Sequence, residues 1–289
     1  MDHTITPTSA RHQLFLDLTG DNNLPHTTKG YAELLTRFPD LPFRGPILQR
    51  FYTEAMLEAA ASECMRARGP VSSRYELRGA LYPDEGLEYE HVPASTGFQA
   101  KLKQADGSYL RVDYQGAAQM HLEEELQAAY AYIAERRPPT LALVNGGRMN
   151  RDIIGPEQLS QFEEAVQAEV GNMLPATFLA SPIVRLMAIA LQEQGYHPID
   201  NPPAFTLHDI SYDVGGLREA RKAVPDTLIT YSMLFPHTES GKEGRTKVFP
   251  FGVMTEEGRP LVSGFLNIIP LQLLIDLAKR QQERRRKAS

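Results

Sequence analysis

Residues 98–114, Phe-Gln-Ala-Lys-Leu-Lys-Gln-Ala-Asp-Gly-Ser-Tyr-Leu-Arg-Val-Asp-Tyr, carry the reading of the fold. Two runs with period-two alternation, Phe98–Gln104 and Tyr109–Tyr114, flank Asp106-Gly107. Asp-Gly supplies the positive φ that a tight hairpin turn requires, so the stretch predicts two antiparallel strands. The alternation extends upstream. Over Arg74–Tyr82, Tyr75, Leu77, Gly79 and Leu81 share one parity and Arg74, Glu76 and Arg78 the other, as in a half-buried strand. Further strands are predicted at Ala204–Tyr212, Thr227–Pro236, Lys247–Met254 and Pro260–Ile269, with a short helix near Leu217–Ala223.

Helical spacing dominates elsewhere. Tyr31, Leu34, Leu35 and Phe38 mark one amphipathic helix, and Pro46 opens another that runs to Gly69-Pro70. His121–Arg136, Pro156–Val170 and Ala176–Gln194 read as three more, the last the most apolar and therefore central. Thr140–Val144 reads as a buried strand running into a turn at Asn145-Gly146-Gly147-Arg148. Tyr-His-Pro-Ile-Asp-Asn-Pro-Pro at 196–203 contains three prolines and reads as a linker. A helix from about Leu271 ends in a basic tail, Lys279–Lys287. Strands cluster instead of alternating with helices, so the fold class is α+β: a helical N-terminal segment, then two groups of mainly antiparallel strands separated by helices. The chain reads as one compact domain, a subdomain boundary being allowed near 196–203, with no internal repeat.

The 289 residues, 42% hydrophobic and 23% charged, suit a globular domain and exclude a disordered chain or a rod. A single cysteine, Cys64, excludes an intramolecular disulfide and a cysteine-based metal cage; it falls in a helix among alanines and reads as inert. The net charge of −6 argues against a nucleic-acid partner. No stretch has the length of a membrane span or the form of a signal peptide, so the location expected is cytoplasmic.

The histidines carry the chemistry expected of such a chain. His208 and Asp209 lie mid-strand, and His237 and Glu239 share a parity at the end of another. Two imidazoles and a carboxylate form the ligand set of a non-haem iron or similar divalent site, which makes His208, His237 and Glu239 the candidate ligands of a divalent metal ion. Without a metal, His208, His237 and Asp209 could do acid–base work, since histidine titrates near pH 6.5. Tyr231 and Arg245 are the candidate substrate contacts, Arg245 as an anion clamp in a polar, glycine-containing loop. His208 also reads as a hydrogen-bonded core residue and His237 as a strand-end residue. The function expected is that of an enzyme acting on a small polar substrate, a metal-dependent oxidoreductase among the options; the alternative is a non-catalytic binding protein or secreted effector.

A third reading rests on order alone. Arg78, the Ser95-Thr96 turn and a later glutamate, Glu123 or Glu125, follow one another in a way that is similar to mono-ADP-ribosyltransferases. That resemblance implies an arginine on dinucleotide phosphate, a bracing Ser/Thr segment and a glutamate on a ribose hydroxyl. Here the glutamates fall on a helix, where carboxylates in the first turn also complement the helix dipole.

Overall fold

The computed structural model describes residues 4–29, 31, 46–61, 69–94, 97–136, 141–144, 147–240, 246–273 and 275–276, with the backbone alone at 94, 136, 141–144 and 205–208. The helix expected at Lys29–Phe38, Cys64, the Ser95-Thr96 turn, Arg245 and the basic tail lie outside the described residues, apart from 29 and 31.

The chain runs β1 (Thr4–Ile5), α1 (Ser9–Thr19), α2 (Leu24–Thr27), α3 (Arg50–Ala60), β2 (Pro70–Arg78), β3 (Leu87–Ala94), β4 (Gly97–Lys103) and β5 (Tyr109–Gly116). It continues with α4 (Glu123–Arg136), β6 (Leu141–Val144), β7 (Gly147–Ile154), α5 (Pro156–Val166), α6 (Ala176–Ala180) and α7 (Ile183–Glu193). It closes with β8 (Pro203–Asp213), α8 (Val214–Ala223), β9 (Leu228–Leu234), β10 (Thr238–Ser240), β11 (Thr246–Thr255) and β12 (Pro260–Pro270).

The Asp106-Gly107 hairpin forms as its turn chemistry requires. Gly107 has φ +88°, the Ser108 amide donates to the Asp106 carboxylate at 2.8 Å, and Leu102 pairs with Leu110. Three differences have local causes. β3, absent from the sequence reading, carries Pro93, which survives because this stretch of β3 is bonded to β4 on one side only. β7 begins at Gly147, so Gly147 and Arg148 are strand and not turn. The predicted helix Ala176–Gln194 is broken into α6 and α7 at Ser181-Pro182.

The two strand groups make one antiparallel sheet in the order β1-β3-β4-β5-β2-β8-β12-β11-β9-β7-β6, with β10 hydrogen-bonded to β11. This order contains a duplication. A first strand, a central helix and four further strands occur as β1, α3, β2–β5, and again as β7, α6–α7, β8, β9, β11, β12. Each set is arranged first-third-fourth-fifth-second, and the two second strands meet in the middle, Arg74 of β2 opposite Asp209 of β8. The repeat is one of topology. A sheet asks only for alternation, so two halves can share a winding without sharing residues.

The central helices of both halves lie on one face of this sheet. Phe51 to Glu58 of α3 are all buried, as are Ala176 to Ala180 of α6. Glu58 joins them: its carboxyl accepts from the Ala176 and Thr177 amides at 2.8 and 3.0 Å and from the Thr177 hydroxyl at 2.6 Å. Burial nevertheless pushes this carboxyl above the usual carboxylate range. On the other face the halves differ. In the second, α4 lays Leu126, Ala129 and Ile133 on Met149, Met233 and Met254. Gly252 makes this approach feasible, since a Cβ there would lie 2.5 Å from Leu126 Cδ2. In the first half that face carries ion pairs between strands, Glu76–Arg111, Lys101–Glu90 and Arg74–Asp209.

Candidate functional site

The residues singled out in the sequence are dispersed. His208 stands in β8 opposite Tyr75 and Leu266, and two strands, β12 and β11, lie between β8 and β9. Asp209 is engaged by Arg74, Nε to Oδ1 2.9 Å. Tyr231 packs with the α4 cluster. His237 lies past the end of β9 and does not continue the face of Tyr231 and Met233. Its ring stacks on Phe249, 5.1 Å between centroids, and Phe249 belongs to the central-helix core. Burial and the charge of Lys247 hold its imidazole below the usual range. Glu239 is exposed on β10. Among the described residues no group of three or more histidine, cysteine or acidic side chains could hold a metal ion.

The ADP-ribosyltransferase order does not converge either. The His121 carbonyl, two residues before Glu123, accepts from the Ser263 hydroxyl. Ser263 is in register with Ser211, and Ser211 with Ser72. Arg78 is six residues further along β2 from Ser72, about 20 Å away at the strand rise.

A different set of polar groups does converge, ahead of the first central helix. α1 ends on Gly20, whose φ of +67° is the left-handed conformation that favours glycine. The Gly20 amide returns to the Asp17 carbonyl at 3.3 Å and the Asp21 amide to the Leu16 carbonyl at 2.9 Å, the paired closure that directs the chain off a helix end. Asp21 then turns inward. Its Oδ1 accepts from the Asn23 amide at 2.9 Å and the Asn23 side chain at 2.5 Å, and its Oδ2 from Gln49 Nε2 at 2.8 Å. Pro25 lies in the first turn of α2, where its missing N–H costs nothing, and His26 follows on the one turn of helix that this short segment makes.

His26 faces Asp21. Its Nδ1 stands 3.1 Å from the Ile47 carbonyl. A carbonyl only accepts, so Nδ1 carries a proton, and in the neutral imidazole Nε2 is left with the lone pair. Nε2 lies 3.9 Å from Asp21 Oδ2, beyond direct hydrogen bonding. An imidazole nitrogen and a carboxylate oxygen thus stand close enough for one hydroxyl, lying to the side of the line between them, to reach both. The Asp21 side chain is 1% exposed and that of His26 16%, so the pair is anchored in the core and meets solvent at the imidazole.

Gln49 organises the surroundings. Its Oε1 accepts from the Tyr52 amide at 3.2 Å and caps α3, which obliges its Nε2 to face Asp21. Its main-chain N–H donates to His12 Nε2 at 2.9 Å. His12 is buried, 6.3 Å from the His26 ring and edge-on to it. Desolvation, and then the neighbouring His26, lower its pKa to about 3, so it stays neutral. The sequence reading overlooked this set. Its signals were Asp21 and His26 five residues apart across a turn-forming Asn-Asn-Leu-Pro, and these resemble ordinary capping and turn residues.

No protein-family model matches the chain, and no curated protein matches it in sequence. Solved structures do match in fold. A MaoC-like dehydratase superposes with a TM-score of 0.56 at 8% identity, over 93% of this chain and 96% of that one. RV0216 of Mycobacterium tuberculosis, described as having a double hotdog fold, gives 0.56 at 9% identity over 93% and 94%. The duplicated helix-on-sheet winding is that architecture. At such identities the likeness is one of fold, and function rests on the site.

Proposed function

We propose that the chain adds or removes water at a carbon–carbon bond beside a carbonyl, a hydratase or dehydratase acting on a small acyl substrate. The observation that carries this reading is the His26 imidazole, anchored through Nδ1 at the Ile47 carbonyl with Nε2 3.9 Å from the buried Asp21 carboxylate. In a β-hydroxy carbonyl compound the base takes the hydrogen next to the carbonyl, the only carbon-bound hydrogen acidic enough for an imidazole. The electron pair of that C–H bond becomes the double bond, and the C–O bond at the β carbon breaks. The imidazolium returns the proton to the departing oxygen, which leaves as water. Hydration is the same path reversed. Asp21 stabilises the imidazolium between the two transfers and accepts a hydrogen bond from the hydroxyl or water. The requirement for an acidic α-hydrogen favours a thioester over an amide or free acid. The fold of the MaoC-like dehydratase supports the reading by analogy.

The test is turnover of a short 2-enoyl thioester, followed by loss of the absorbance of the conjugated bond. His26→Ala and Asp21→Asn should each lower kcat by about 10²–10⁴-fold, the span of a general acid–base contribution. No turnover of any 2-enoyl or 3-hydroxyacyl thioester by the wild type, or wild-type rates in both variants, would overturn the reading.

A further inference from the structure

We infer that Arg185, from the second half of the duplicated fold, is a positioning residue for the Asp21–His26 pair in the first. This rests on reading that pair as the acid–base centre. Asp21 leaves the end of α1, where the last carbonyls have no partner within the helix. One of them, Thr19 O, accepts from Arg185 Nε at 2.7 Å. The guanidinium lies directly on Gly20: a Cβ there would stand 2.2 Å from Arg185 Nε and 2.7 Å from its Cζ. The residue immediately before Asp21 is therefore covered from outside; its positive φ favours glycine, and a Cβ there would displace the guanidinium.

Arg185 sits in the first turn of α7, and its charge is felt by the buried Asp152 of β7. Burial raises the pKa of that carboxyl, while hydrogen bonds from the Ser232 hydroxyl (2.8 Å) and the Asn150 side chain (2.6 Å), together with the charge of Arg185, act against the rise. The contact runs from Arg185 to the Thr19-Gly20 turn, and so to the Asp21 carboxylate. Arg185 belongs to the half of the fold that does not carry the pair. On this account a single acid–base centre draws on both halves of the duplication.

Arg185 is an exposed residue, so its variants should fold. The measurement is the titration of the His26 imidazole by NMR in the wild type, Arg185→Met, Asp21→Asn and the double variant. His12, the other imidazole near it, stays neutral through this range. Asp21→Asn removes the carboxylate 3.9 Å from Nε2 and should lower the His26 midpoint. Arg185→Met should lower it too, by part of that amount, because Asp21 relaxes away. Simple loss of a nearby positive charge would move the midpoint upward, so the sign separates the two explanations. In the double variant Arg185→Met should lower it no further. With a turned-over substrate, Arg185→Met should reduce kcat by about ten-fold with KM within about two-fold, and Arg185→Lys should recover part of the loss.

An upward or absent shift in Arg185→Met, or a downward shift that persists without Asp21, would overturn the inference. The titration needs no substrate. A protein inactive on every acyl thioester that still shows this cycle would refute the dehydratase reading and leave the clamp standing.

Discussion

Gln49 offers the sharpest test of how the site is built. It is 2% exposed, caps α3 through its Oε1, and donates from Nε2 to Asp21 at 2.8 Å. Gln49→Ala removes a hydrogen bond to a buried carboxylate, about 1.5–3 kcal/mol. It also removes a long cap bond, about 0.5–1 kcal/mol, and leaves a small buried void. The sum is about 3–5 kcal/mol, a large part of the roughly 5–15 kcal/mol that holds a domain together. The main-chain bond to His12 survives this change, because it uses the backbone N–H. Gln49→Glu is the sharper partner variant. It keeps the cap oxygen and the volume but sets an oxygen against Asp21 Oδ2 where a donor stood. Two facing carboxylates raise the pKa of the pair in the folded state, so the deficit should be full at neutral pH and shrink as pH falls toward about 4. The chain has no tryptophan, so urea unfolding is followed by far-ultraviolet circular dichroism at pH 7 and pH 4. A cost below about 1 kcal/mol for Gln49→Ala, or a Gln49→Glu protein as stable as wild type at pH 7, would refute the reasoning.

Three further outcomes are expected. His12 has its pKa lowered to about 3, so unfolding takes up a proton below pH 6.5 and stability is lost as pH falls from there toward 3, by up to about 1.4 kcal/mol per unit. His12→Phe should remove one proton's worth of that slope, and unchanged slopes in urea melts at pH 4–6.5 would contradict a buried neutral imidazole. Glu58 is shifted the other way by burial: its cost is absent below about pH 4.5 and grows as pH rises above it. Glu58→Gln should therefore flatten the decline of stability with rising pH whatever its effect at one pH, and a steeper decline would count against it. Gly252→Ala should cost about 1–3 kcal/mol by driving a methyl into Leu126. In a Leu126→Ala background the same change should cost clearly less, and strictly additive losses would show that the α4 contact is not the cause.

Among the described residues, the two halves of this sheet face differ in chemistry: ion pairs line the first and α4 covers the second. Ion pairs on an exposed sheet face add little stability. The apolar methionines of the second half need α4, and Leu126, Ala129 and Ile133 supply it.

What the amino-acid order determined by itself was local. The alternation of Leu110, Val112 and Tyr114 against Arg111 and Asp113 named a strand and its buried face. Asp106-Gly107 named the turn, and the apolar runs at Ala204–Tyr212, Lys247–Met254 and Pro260–Ile269 named strands within a few residues of where they lie. These signals act over a few residues, through φ/ψ preferences and side-chain period. Which strand meets which is decided elsewhere: the pairing of Arg74 with Asp209 spans 135 residues, and period two does not say which alternating partner a strand takes. That choice merged the two strand groups into one duplicated sheet. The same holds for the site. Asp21, His26 and Gln49 carry no spacing that separates an acid–base pair from a helix end and a cap, whereas His208, His237 and Glu239 looked like ligands because they share residue types. Only the packing of α1 against the start of α3 buries Asp21, turns Gln49 toward it, and uses the Ile47 carbonyl to fix which imidazole nitrogen of His26 is left open, because burial and hydrogen-bond direction are properties of neighbours in space.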